Sequence, residues 1–339
     1  MKSSILYQLV VIQLLIDVLT CVQFTEKLVI DTDGGADDAA SILLALSAWK
    51  HEDSVFKVIA ITCVNGNTIE PNVEANVLKM LSVANVTNIP IYGGAQKPLI
   101  EKAATDYYFG NDGLGDFLFK GKITAKIDKS IFASVALTKL AKKYPNQLNV
   151  LCLGPLTNIA IATAIDPSFM SNVKKFYVMG GTVAGIGNVA PGVEFNFAAD
   201  PESNVIVLNS SRDYTKQEPI LLYPWETVLN SKIPKSWRIN ELGTIYSDIV
   251  KFLNKAESKS LKDPSDFWTS ADLQMTAVMI WPHLSKKSLI TNVTPVVDGA
   301  ARGALLVDYG KRTQKPKNVE IVLELDAEEF KEKLFYHYS

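Results

Sequence analysis

Residues 31–38, near the start of the chain, read Asp-Thr-Asp-Gly-Gly-Ala-Asp-Asp and carry four carboxylates. The apolar run before them, residues 27–30, predicts a short strand, and the apolar run after them, residues 39–46, predicts a helix. The two glycines predict a tight turn between these elements. The first two aspartates would then end a strand, and the last two would lie in the first turn of a helix. In open α/β sheets this edge is where ligands bind.

Two interpretations of this acidic stretch compete. Acidic residues favour the amino end of a helix because of its partial positive charge, so capping accounts for one or two of the carboxylates. Capping does not account for all of them, since like charges at short range repel and raise one another's pKa. A hard divalent cation relieves that repulsion, because calcium is bound by several carboxylate and carbonyl oxygens. The pattern therefore favours a metal site over simple capping.

Strands and helices alternate along the remainder of the chain. Strands are predicted over residues 55–64, 89–92, 148–153, 175–179 and 219–223, with helices over residues 71–83, 131–143, 156–165 and 201–209. Further on, helices are predicted over residues 239–254 and 266–280, strands over residues 293–297, 302–307 and 319–325, and a closing helix from Ala327. This alternation predicts an α/β fold with an open, mostly parallel central sheet and helices on both faces. Since no linker or repeat interrupts it, residues 24–339 are expected to form a single domain.

Composition and the amino terminus bear on partners and location. Charged residues make up 21% of the chain and the formal net charge is −2, which argues against the basic surface that nucleic-acid binding requires. Residues 1–23 carry a positive charge and then an apolar run, which predicts a secretory signal peptide and no membrane association after its cleavage. Asp17 interrupts the run, so an uncleaved anchor is the alternative. Acceptor triplets for N-glycosylation at Asn85, Asn209 and Asn292 support a secreted, extracellular glycoprotein.

The loop over residues 93–124 is long for a compact domain. It holds Tyr107, Tyr108 and Phe109 followed by Gly110, a combination that suits a lid closing over a flat ligand. The alternative is a surface excursion whose aromatic rings cover the core. The sequence does not decide between the two.

Residues 31–39 resemble the N-terminal signature of the nucleoside hydrolases, calcium-dependent enzymes that cleave the N-glycosidic bond of ribonucleosides. Later segments match the same family in register, at residues 62–67, 154–160, 179–181, 194–196 and 200–202. Together with Asp272 they carry the resemblance across most of the chain. One departure is Gly34, where most members carry proline, and it is expected only to loosen the turn.

The resemblance implies a site for each chemical role. Calcium would be held by Asp33, Asp38, Asp272 and the main-chain oxygen of Thr157. The ribose would be bound by Asp37, Asn67, Asn188, Glu194 and Asn196, with Met179 packed against the sugar. Oxygen-only ligation suits calcium better than zinc. Asp33 would take a proton from the attacking water, and the sugar would pass through an oxocarbenium-like state. Asp31 is expected to orient its neighbours.

Other departures concern the leaving base. Family members with broad or pyrimidine-favouring activity carry a histidine at the position of Ala271 and another in the lid, where this chain has Phe109. The three histidines of the chain, His51, His283 and His337, match neither position. The purine-specific branch of the family instead stacks the base between aromatic rings, which eases protonation of the base. Candidates for such stacking are Tyr107, Tyr108, Phe109, Trp225 and Trp268.

Structural alternatives exist for some of these residues. If residues 266–280 form one helix, Trp268 lies one turn before Asp272 and shares its face. The alternative for Trp268 is packing in the core. Glu194 and Asn196 could likewise be ordinary polar residues at a strand edge.

The sequence therefore predicts a secreted, calcium-dependent purine nucleosidase that hydrolyses inosine, guanosine or adenosine to ribose and free base. It resembles the secreted purine nucleosidases of insect saliva, and because relatives form dimers and tetramers a homo-oligomer is expected. A nucleoside-binding protein that has lost catalysis is one alternative, because no general acid is identifiable, and a broad inosine-uridine hydrolase is another. A phosphatase of the haloacid dehalogenase type using Asp31 and Asp33 is disfavoured by the two glycines that follow.

Overall fold

The computed structural model describes residues 26–100, 107–210 and 218–339. The predicted signal peptide, residues 1–23, lies outside the described residues. The strands are β1 (Glu26–Thr32), β2 (Phe56–Cys63), β3 (Ile91–Tyr92), β4 (Leu148–Cys152), β5 (Val173–Met179), β6 (Ile220–Tyr223), β7 (Ser285–Thr291), β8 (Val293–Pro295), β9 (Leu305–Val307) and β10 (Val319–Leu325). The α-helices are α1 (Ala36–Trp49), α2 (Glu70–Val83), α3 (Ala133–Lys143), α4 (Thr157–Ile165), α5 (Phe169–Asn172), α6 (Phe195–Ala199), α7 (Pro201–Leu208), α8 (Trp225–Asn230), α9 (Lys235–Asn240), α10 (Asp248–Ala256), α11 (Ala271–Ile280) and α12 (Ala327–Tyr338).

Eight strands form one sheet in the order β3-β2-β1-β4-β5-β6-β10-β7. Neighbouring strands are parallel except at the edge, where β7 runs antiparallel to β10. The chain begins inside the sheet at β1, adds β2 and β3 on one side and then returns to place β4 on the other side of β1. Such a reversal opens a crevice beyond the carboxyl ends of the strands, where ligands bind in open α/β sheets. The predicted open, mostly parallel sheet is confirmed.

Helices cover both faces of the sheet, and the residues of β1 show why. Successive side chains of a strand point to opposite faces. Leu28 and Ile30 lie in one core with residues of α1, α2 and α11, whereas Val29 lies in a second core with residues of α3, α4 and α7. All three side chains are at most 1% exposed. Burial of these apolar side chains therefore holds a layer of helices against each face.

The segment predicted as one helix over residues 239–254 is broken in the structure, so that prediction is wrong. It contains the end of α9, a short 3-10 turn and most of α10. Ser247 caps α10, because its Oγ accepts a hydrogen bond from the N–H of Val250 at 3.2 Å. The edge strand β7 is also missed by pattern alone, because its sequence Ser-Lys-Lys-Ser-Leu-Ile-Thr is largely exposed and lacks an apolar face.

The helix predicted over residues 266–280 begins only at Ala271. Before it the chain is extended, and the N–H of Trp268 donates to the carbonyl of Ile233 at 2.8 Å. Trp268 therefore precedes the helix, and the predicted helical face shared with Asp272 is wrong. The N–H of Lys235 also donates to the carbonyl of Asp266 at 2.8 Å, so contacts between distant segments hold the residues before the helix extended.

The carboxyl ends of β1, β2, β4, β5 and β6 lie side by side in the sheet. The loops that follow these strands contain the acidic signature and the other segments singled out in the sequence. They meet at one edge because the strands are parallel and share one direction. No helix within the described residues combines the length and apolar character needed to cross a membrane.

Candidate active site

Three carboxylates meet at this edge of the sheet. One oxygen each from Asp37, Asp38 and Asp272 lies within 4.8 Å of the others. The first two belong to the first turn of α1, and Asp272 belongs to the first turn of α11. Because α1 and α11 pack against each other, two distant parts of the chain supply one cluster.

Asp33 is fully buried beside this cluster. Its Oδ2 accepts a hydrogen bond from the backbone N–H of Asn67 at 2.8 Å, and its Oδ1 accepts one from Asn67 Nδ2 at 2.8 Å. The backbone N–H of Asp33 donates to Asp38 Oδ1 at 3.2 Å. A Cβ on Gly66 would lie 2.0 Å from Asp33 Oδ2, and a Cβ on Gly154 would lie 2.9 Å from Asp33 Cβ. The surroundings therefore fix the position of Asp33 and leave no room for larger neighbours.

The turn between β1 and α1 differs from the expectation for Gly34. This residue has a φ of +72°, a left-handed conformation that proline cannot adopt because its ring holds φ at about −65°. Asp38 closes the turn, since its Oδ2 accepts the N–H of Gly35 at 2.9 Å and its Oδ1 accepts the hydroxyl of Thr32. At Gly34 the backbone therefore adopts a conformation that proline cannot adopt, so this turn is not a looser version of a proline turn.

The carboxylates of this cluster lie close together in a buried environment, which disfavours their charged forms. Burial raises the pKa of Asp33 and of Asp272 well above its usual range, and the neighbouring carboxylates raise it further. Burial, followed by the charge of Asp38, raises the pKa of Asp37 to about 8. Within the part of the chain that the structure describes, these groups form no ion pair with lysine or arginine, and the buried Oδ1 of Asp37 has no hydrogen-bond partner. An oxygen-bound divalent cation would relieve the repulsion, so the residues present fit a metal.

Two further predicted residues, Asp31 and Thr157, are buried. Asp31 is fully buried, and its Oδ1 accepts hydrogen bonds from Thr62 Oγ1 and, at 2.8 Å, from Asn158 Nδ2. Burial raises the pKa of Asp31 to about 7. Thr157 is the first residue of α4, and its Oγ1 donates to Asp200 Oδ2 at 2.6 Å. The role of the Thr157 main-chain oxygen as a calcium ligand stays a prediction.

A cavity of about 330 Å³ opens beside the carboxylates. Its lining includes all the predicted ribose-binding residues and one predicted calcium ligand, namely Asp37, Asn67, Met179, Asn188, Glu194, Asn196 and Asp272. The volume falls within the range of small-molecule sites, about 300–1,000 Å³. The structure thus brings the candidate metal ligands and the candidate sugar ligands together at one cavity.

Glu194 and Asn196 are held by backbone groups around this cavity. Glu194 caps α6, because its Oε1 accepts the N–H of Asn196 at 2.9 Å and its Oε2 accepts the N–H of Gly181 at 2.8 Å. Burial raises the pKa of Glu194 to about 7. Asn196 Nδ2 donates to the carbonyl of Leu153 at 2.8 Å. Asn188 lies in the loop before α6, and its Oδ1 accepts the N–H of the residue after Glu194 at 2.9 Å. These side chains are therefore fixed before any ligand binds.

The five aromatic candidates separate into two groups. Tyr108, Phe109 and Trp225 line the cavity, and the rings of the first two are 4.9 Å apart at an angle of 77°. Tyr107 does not line it and is 57% exposed. Trp268 lines only a small pocket next to the cavity, and it is 6% exposed within the apolar core. The position of Trp268 agrees with the alternative of core packing.

The glycine-rich segment after these rings is tied to the scaffold. The N–H of Gly115 donates to the carbonyl of Phe109 at 2.7 Å. Asn76 on α2 donates from its Nδ2 to the carbonyls of Gly34 and Asp112, at 3.0 and 2.6 Å. Phe109 is therefore held next to the signature turn. The preceding part of the predicted lid, residues 101–106, lies outside the described residues.

Glu226 is a site residue to which sequence reasoning gave no role. Its carboxylate is 4% exposed and accepts three backbone N–H groups. The donors are Val183 at 2.9 Å, Ala184 at 2.7 Å and Ile186 at 3.1 Å. These residues begin the loop that carries Asn188 into the cavity. The only signal in the sequence is the acidic residue directly after Trp225, and nothing local connects it to that loop.

Other cavity residues also went unpredicted. They are Leu153, Phe195, Leu229, Asp263, Ser265 and Thr269. The last three lie in the irregular segment before α11, where the sequence has no periodic pattern. Ala271 lines the cavity at the position expected for a histidine in broad-specificity members, and none of the lining residues is a histidine.

Fold and site together define an α/β protein with a cluster of carboxylates that fits a metal at the carboxyl edge of its sheet, next to a cavity lined by polar and aromatic side chains. Residues 28–332 match the family model described as inosine-uridine preferring nucleoside hydrolase. The chain belongs to this family.

Relatives in other organisms agree with this membership. Uridine nucleosidase 1 of Arabidopsis thaliana is 37% identical over 193 residues, which span 56% of this chain and only 55% of that protein. An inosine-uridine preferring nucleoside hydrolase of Leishmania major is 28% identical over 315 residues, which span 90% of this chain and 94% of that protein. The solved structure of an inosine-guanosine nucleoside hydrolase is similar with a TM-score of 0.83 at 27% identity, over 92% of this chain and 98% of that one.

Proposed function

We propose that this protein hydrolyses the N-glycosidic bond of purine ribonucleosides in a calcium-dependent reaction and releases ribose and the free base. The observation that carries the proposal is the meeting of Asp37, Asp38 and Asp272 next to a cavity that also holds Asn188 and Glu194. Membership of the family supports hydrolysis of nucleosides. The oxygen-only character of the cluster supports calcium as the metal.

The residues of the site can take separate roles in metal binding, proton transfer and charge stabilisation. A divalent cation held by Asp33, Asp38 and Asp272 would lower the pKa of a water and so supply a nucleophile at neutral pH. Asp33 accepts the proton of the attacking water, since burial raises its pKa and Asn67 fixes its position. Carboxylates around the sugar stabilise the positive charge that develops on the ring as the bond to the base breaks.

The amide and carboxylate groups on the opposite segment bind the ribose. Asn188, Glu194 and Asn196 line the cavity and are fixed by backbone hydrogen bonds. Ligand hydroxyls can donate to their oxygens without any rearrangement of the side chains. A site fixed in advance loses less entropy when it orients the sugar for attack.

The purine preference rests on the part of the cavity that faces the base. No histidine lines it, so leaving-group protonation by histidine is not available. The rings of Tyr108, Phe109 and Trp225 line the cavity instead and offer apolar faces for a two-ring base. Stacking on such rings eases protonation of a purine nitrogen, which lets the base leave.

Two other functions have support. The relatives include a uridine nucleosidase and an inosine-uridine preferring enzyme, which favours a broad hydrolase as the second candidate. The lack of an identified general acid in the cavity favours a nucleoside-binding protein without turnover as the third.

One assay separates these functions. The protein is stripped of metal with a chelator, calcium is titrated back, and base release is measured from inosine, guanosine, adenosine and uridine. We expect turnover of the purine nucleosides to return with calcium and uridine to be cleaved much more slowly. Equal turnover of inosine and uridine would favour the broad hydrolase, and binding without turnover would favour the binding protein.

Variants test the role of Asp33 in the same assay. Asp33→Ala should lower kcat by about 10²–10⁴-fold, the usual contribution of a general base. Asp298→Ala is the matched control, since that aspartate is exposed and its side chain caps no helix. Retained activity in Asp33→Ala would remove the proposed mechanism.

We also propose that the protein is secreted and works as a homo-oligomer. The apolar amino terminus supports secretion, and the side chains of Asn85 and Asn209 are exposed as glycan acceptors must be. Asn292 is less suitable, because it is 8% exposed and its Nδ2 donates to the carbonyl of Pro316 at 2.7 Å. Mass spectrometry and light scattering of the secreted protein measure glycosylation and the number of subunits.

A further inference from the structure

The lining of the cavity contains two chemically distinct groups of residues, which we call its two ends. The carboxylate cluster marks the end that takes the sugar, because the ribose must lie against the metal site. The walls left for the base are the aromatic side chains and the irregular segment between α10 and α11. That segment contributes Asp263, Ser265 and Thr269 to the lining.

Asp263 is held firmly in this segment. Its Oδ1 accepts the N–H of Ser265 at 2.7 Å, and its main-chain carbonyl accepts Nζ of Lys235 at 2.5 Å. The following residue, Pro264, restricts the backbone of Asp263 further. Among the residues that the structure describes, its Oδ2 has no hydrogen-bond partner. This residue of the cavity lining thus keeps one carboxylate oxygen that can accept a hydrogen bond from a ligand.

The polar groups at this end select for hydrogen-bond donors on the base. A carboxylate only accepts hydrogen bonds, whereas the hydroxyls of Ser265 and Thr269 both donate and accept. Among the residues that the structure describes, no lysine or arginine lines the cavity. A base that presents a ring N–H beside a carbonyl matches this set, because the carboxylate accepts the N–H and a hydroxyl donates to the carbonyl.

Purine bases differ in this respect. Guanine and hypoxanthine carry a hydrogen on N1 next to the carbonyl at C6, and guanine adds an amino group at C2 that can donate to the same carboxylate. Adenine has an unprotonated N1, which would face the carboxylate as a second acceptor. Two acceptors left without a shared proton lose a hydrogen bond and repel each other.

We infer that Asp263 is a specificity-determining residue that accepts the N1–H of the base, so that guanosine and inosine are preferred over adenosine. This inference rests on the proposed hydrolysis of purine nucleosides and names the substrates within that class. A bidentate contact from the carboxylate to N1–H and the amino group would place guanosine first. Ser265 and Thr269 supply donors for the carbonyl at C6.

The first test compares kcat/KM for guanosine, inosine and adenosine in the parent protein and in Asp263→Asn. The amide can donate to N1 of adenine and cannot accept two donors from guanine as a carboxylate does. We expect the ratio of kcat/KM for guanosine to that for adenosine to fall by about 10–100-fold, the discrimination of one bidentate contact. Asp266→Asn is the matched control, because Asp266 is an exposed aspartate of the same segment and does not line the cavity. In the control the ratio should not change.

A second test changes the substrate. In 1-methylinosine a methyl group replaces the hydrogen on N1, so the parent protein should cleave it far more slowly than inosine. Asp263→Ala removes the acceptor and makes room for the methyl group. In this variant the difference in rate between inosine and 1-methylinosine should therefore shrink by about 10–100-fold, as in the first test. An unchanged guanosine-to-adenosine ratio in Asp263→Asn, or equal cleavage of inosine and 1-methylinosine by the parent protein, would overturn the inference. If either result overturned the inference while adenosine was still cleaved, the proposed hydrolysis of purine nucleosides would stand. If no base were released from any nucleoside, the inference and the proposed function would both be overturned.

Discussion

Replacement of Glu226 by glutamine should weaken substrate binding without any change to a group that touches the ligand. The carboxylate of Glu226 accepts the N–H groups of Val183, Ala184 and Ile186. Their loop continues to Asn188, which lines the cavity. Glu226 itself does not line the cavity, so it acts through the loop as a positioning residue.

The size of the effect follows from the hydrogen bonds. A hydrogen bond to a charged group contributes about 1.5–3 kcal/mol. The amide of glutamine keeps one accepting oxygen, which can serve Ala184 and Ile186, but its NH₂ group then faces the N–H of Val183. Loss of that bond, together with loss of the charge from the other two, should weaken the anchoring of the loop by about 2–4 kcal/mol.

Other hydrogen bonds also hold the loop, so only part of this lost free energy should appear as weaker substrate binding. Tyr309 donates from its hydroxyl to the carbonyl of Val183, and Thr182 donates from its Oγ1 to the carbonyl of Gly192 at 2.7 Å. Since about 1.4 kcal/mol corresponds to a tenfold change in affinity, we expect KM to rise by about 10–100-fold. In the proposed mechanism Asn188 binds the ribose before and during bond cleavage, so kcat should change much less.

A double-mutant cycle with Asn188→Ala tests whether Glu226 affects substrate binding through Asn188. If Glu226 acts through Asn188, adding Glu226→Gln to Asn188→Ala should cost much less than Glu226→Gln costs alone. Glu241→Gln, at an exposed glutamate far from the loop, should leave KM unchanged. A fall in kcat at constant KM, or fully additive losses in the cycle, would refute this reasoning.

The stability of the protein should depend on pH, on calcium and on the turn at Gly34. Because burial and like charge raise the pKa of Asp31 to about 7 and of Asp37 to about 8, the metal-free folded protein binds more protons than the unfolded chain above about pH 4, and its stability should fall as the pH rises toward 8. Calcium should therefore raise Tm by more at pH 8 than at pH 5, and equal shifts at both values would contradict the electrostatic account. Gly34→Pro should destabilise the fold, since proline cannot reach a φ of +72° and a Cβ there would lie 3.0 Å from the Cα of Val73. Thermal unfolding measures that loss, and an unchanged Tm would show that the turn relaxes to a different path.

The position of the acidic signature could be predicted because its residues follow local patterns. An apolar strand, two glycines and an apolar helix place the carboxylates of residues 31–38 at the edge of a parallel sheet. Asp272 lies far away in the sequence, and only the family resemblance connected it to them. The helix that carries it begins later than predicted, yet Asp272 still lies in its first turn.

The base end could not be predicted in the same way, because contacts between distant segments shape it. Trp268 looked like a helical neighbour of Asp272, but a hydrogen bond to Ile233 holds its backbone extended and its ring enters the core. Glu226 acts on a loop about 40 residues earlier in the chain, and no periodicity reports such a contact. Asp263 lies in an irregular segment, where no periodic pattern places a side chain at the cavity.

The surroundings of Asp33 and of Asp263 differ in how much change they tolerate. Asp33 is enclosed so tightly that a single Cβ on Gly66 would overlap its carboxylate, so the metal end tolerates little change. The segment that carries Asp263 and Ser265 is partly exposed, as loops that tolerate substitution are. Changes there can alter the choice of base while the carboxylates and the sugar ligands keep their geometry. Variants at Asp263 should accordingly change the ratio between nucleosides, whereas variants at Asp33 should lower the rate for every nucleoside alike.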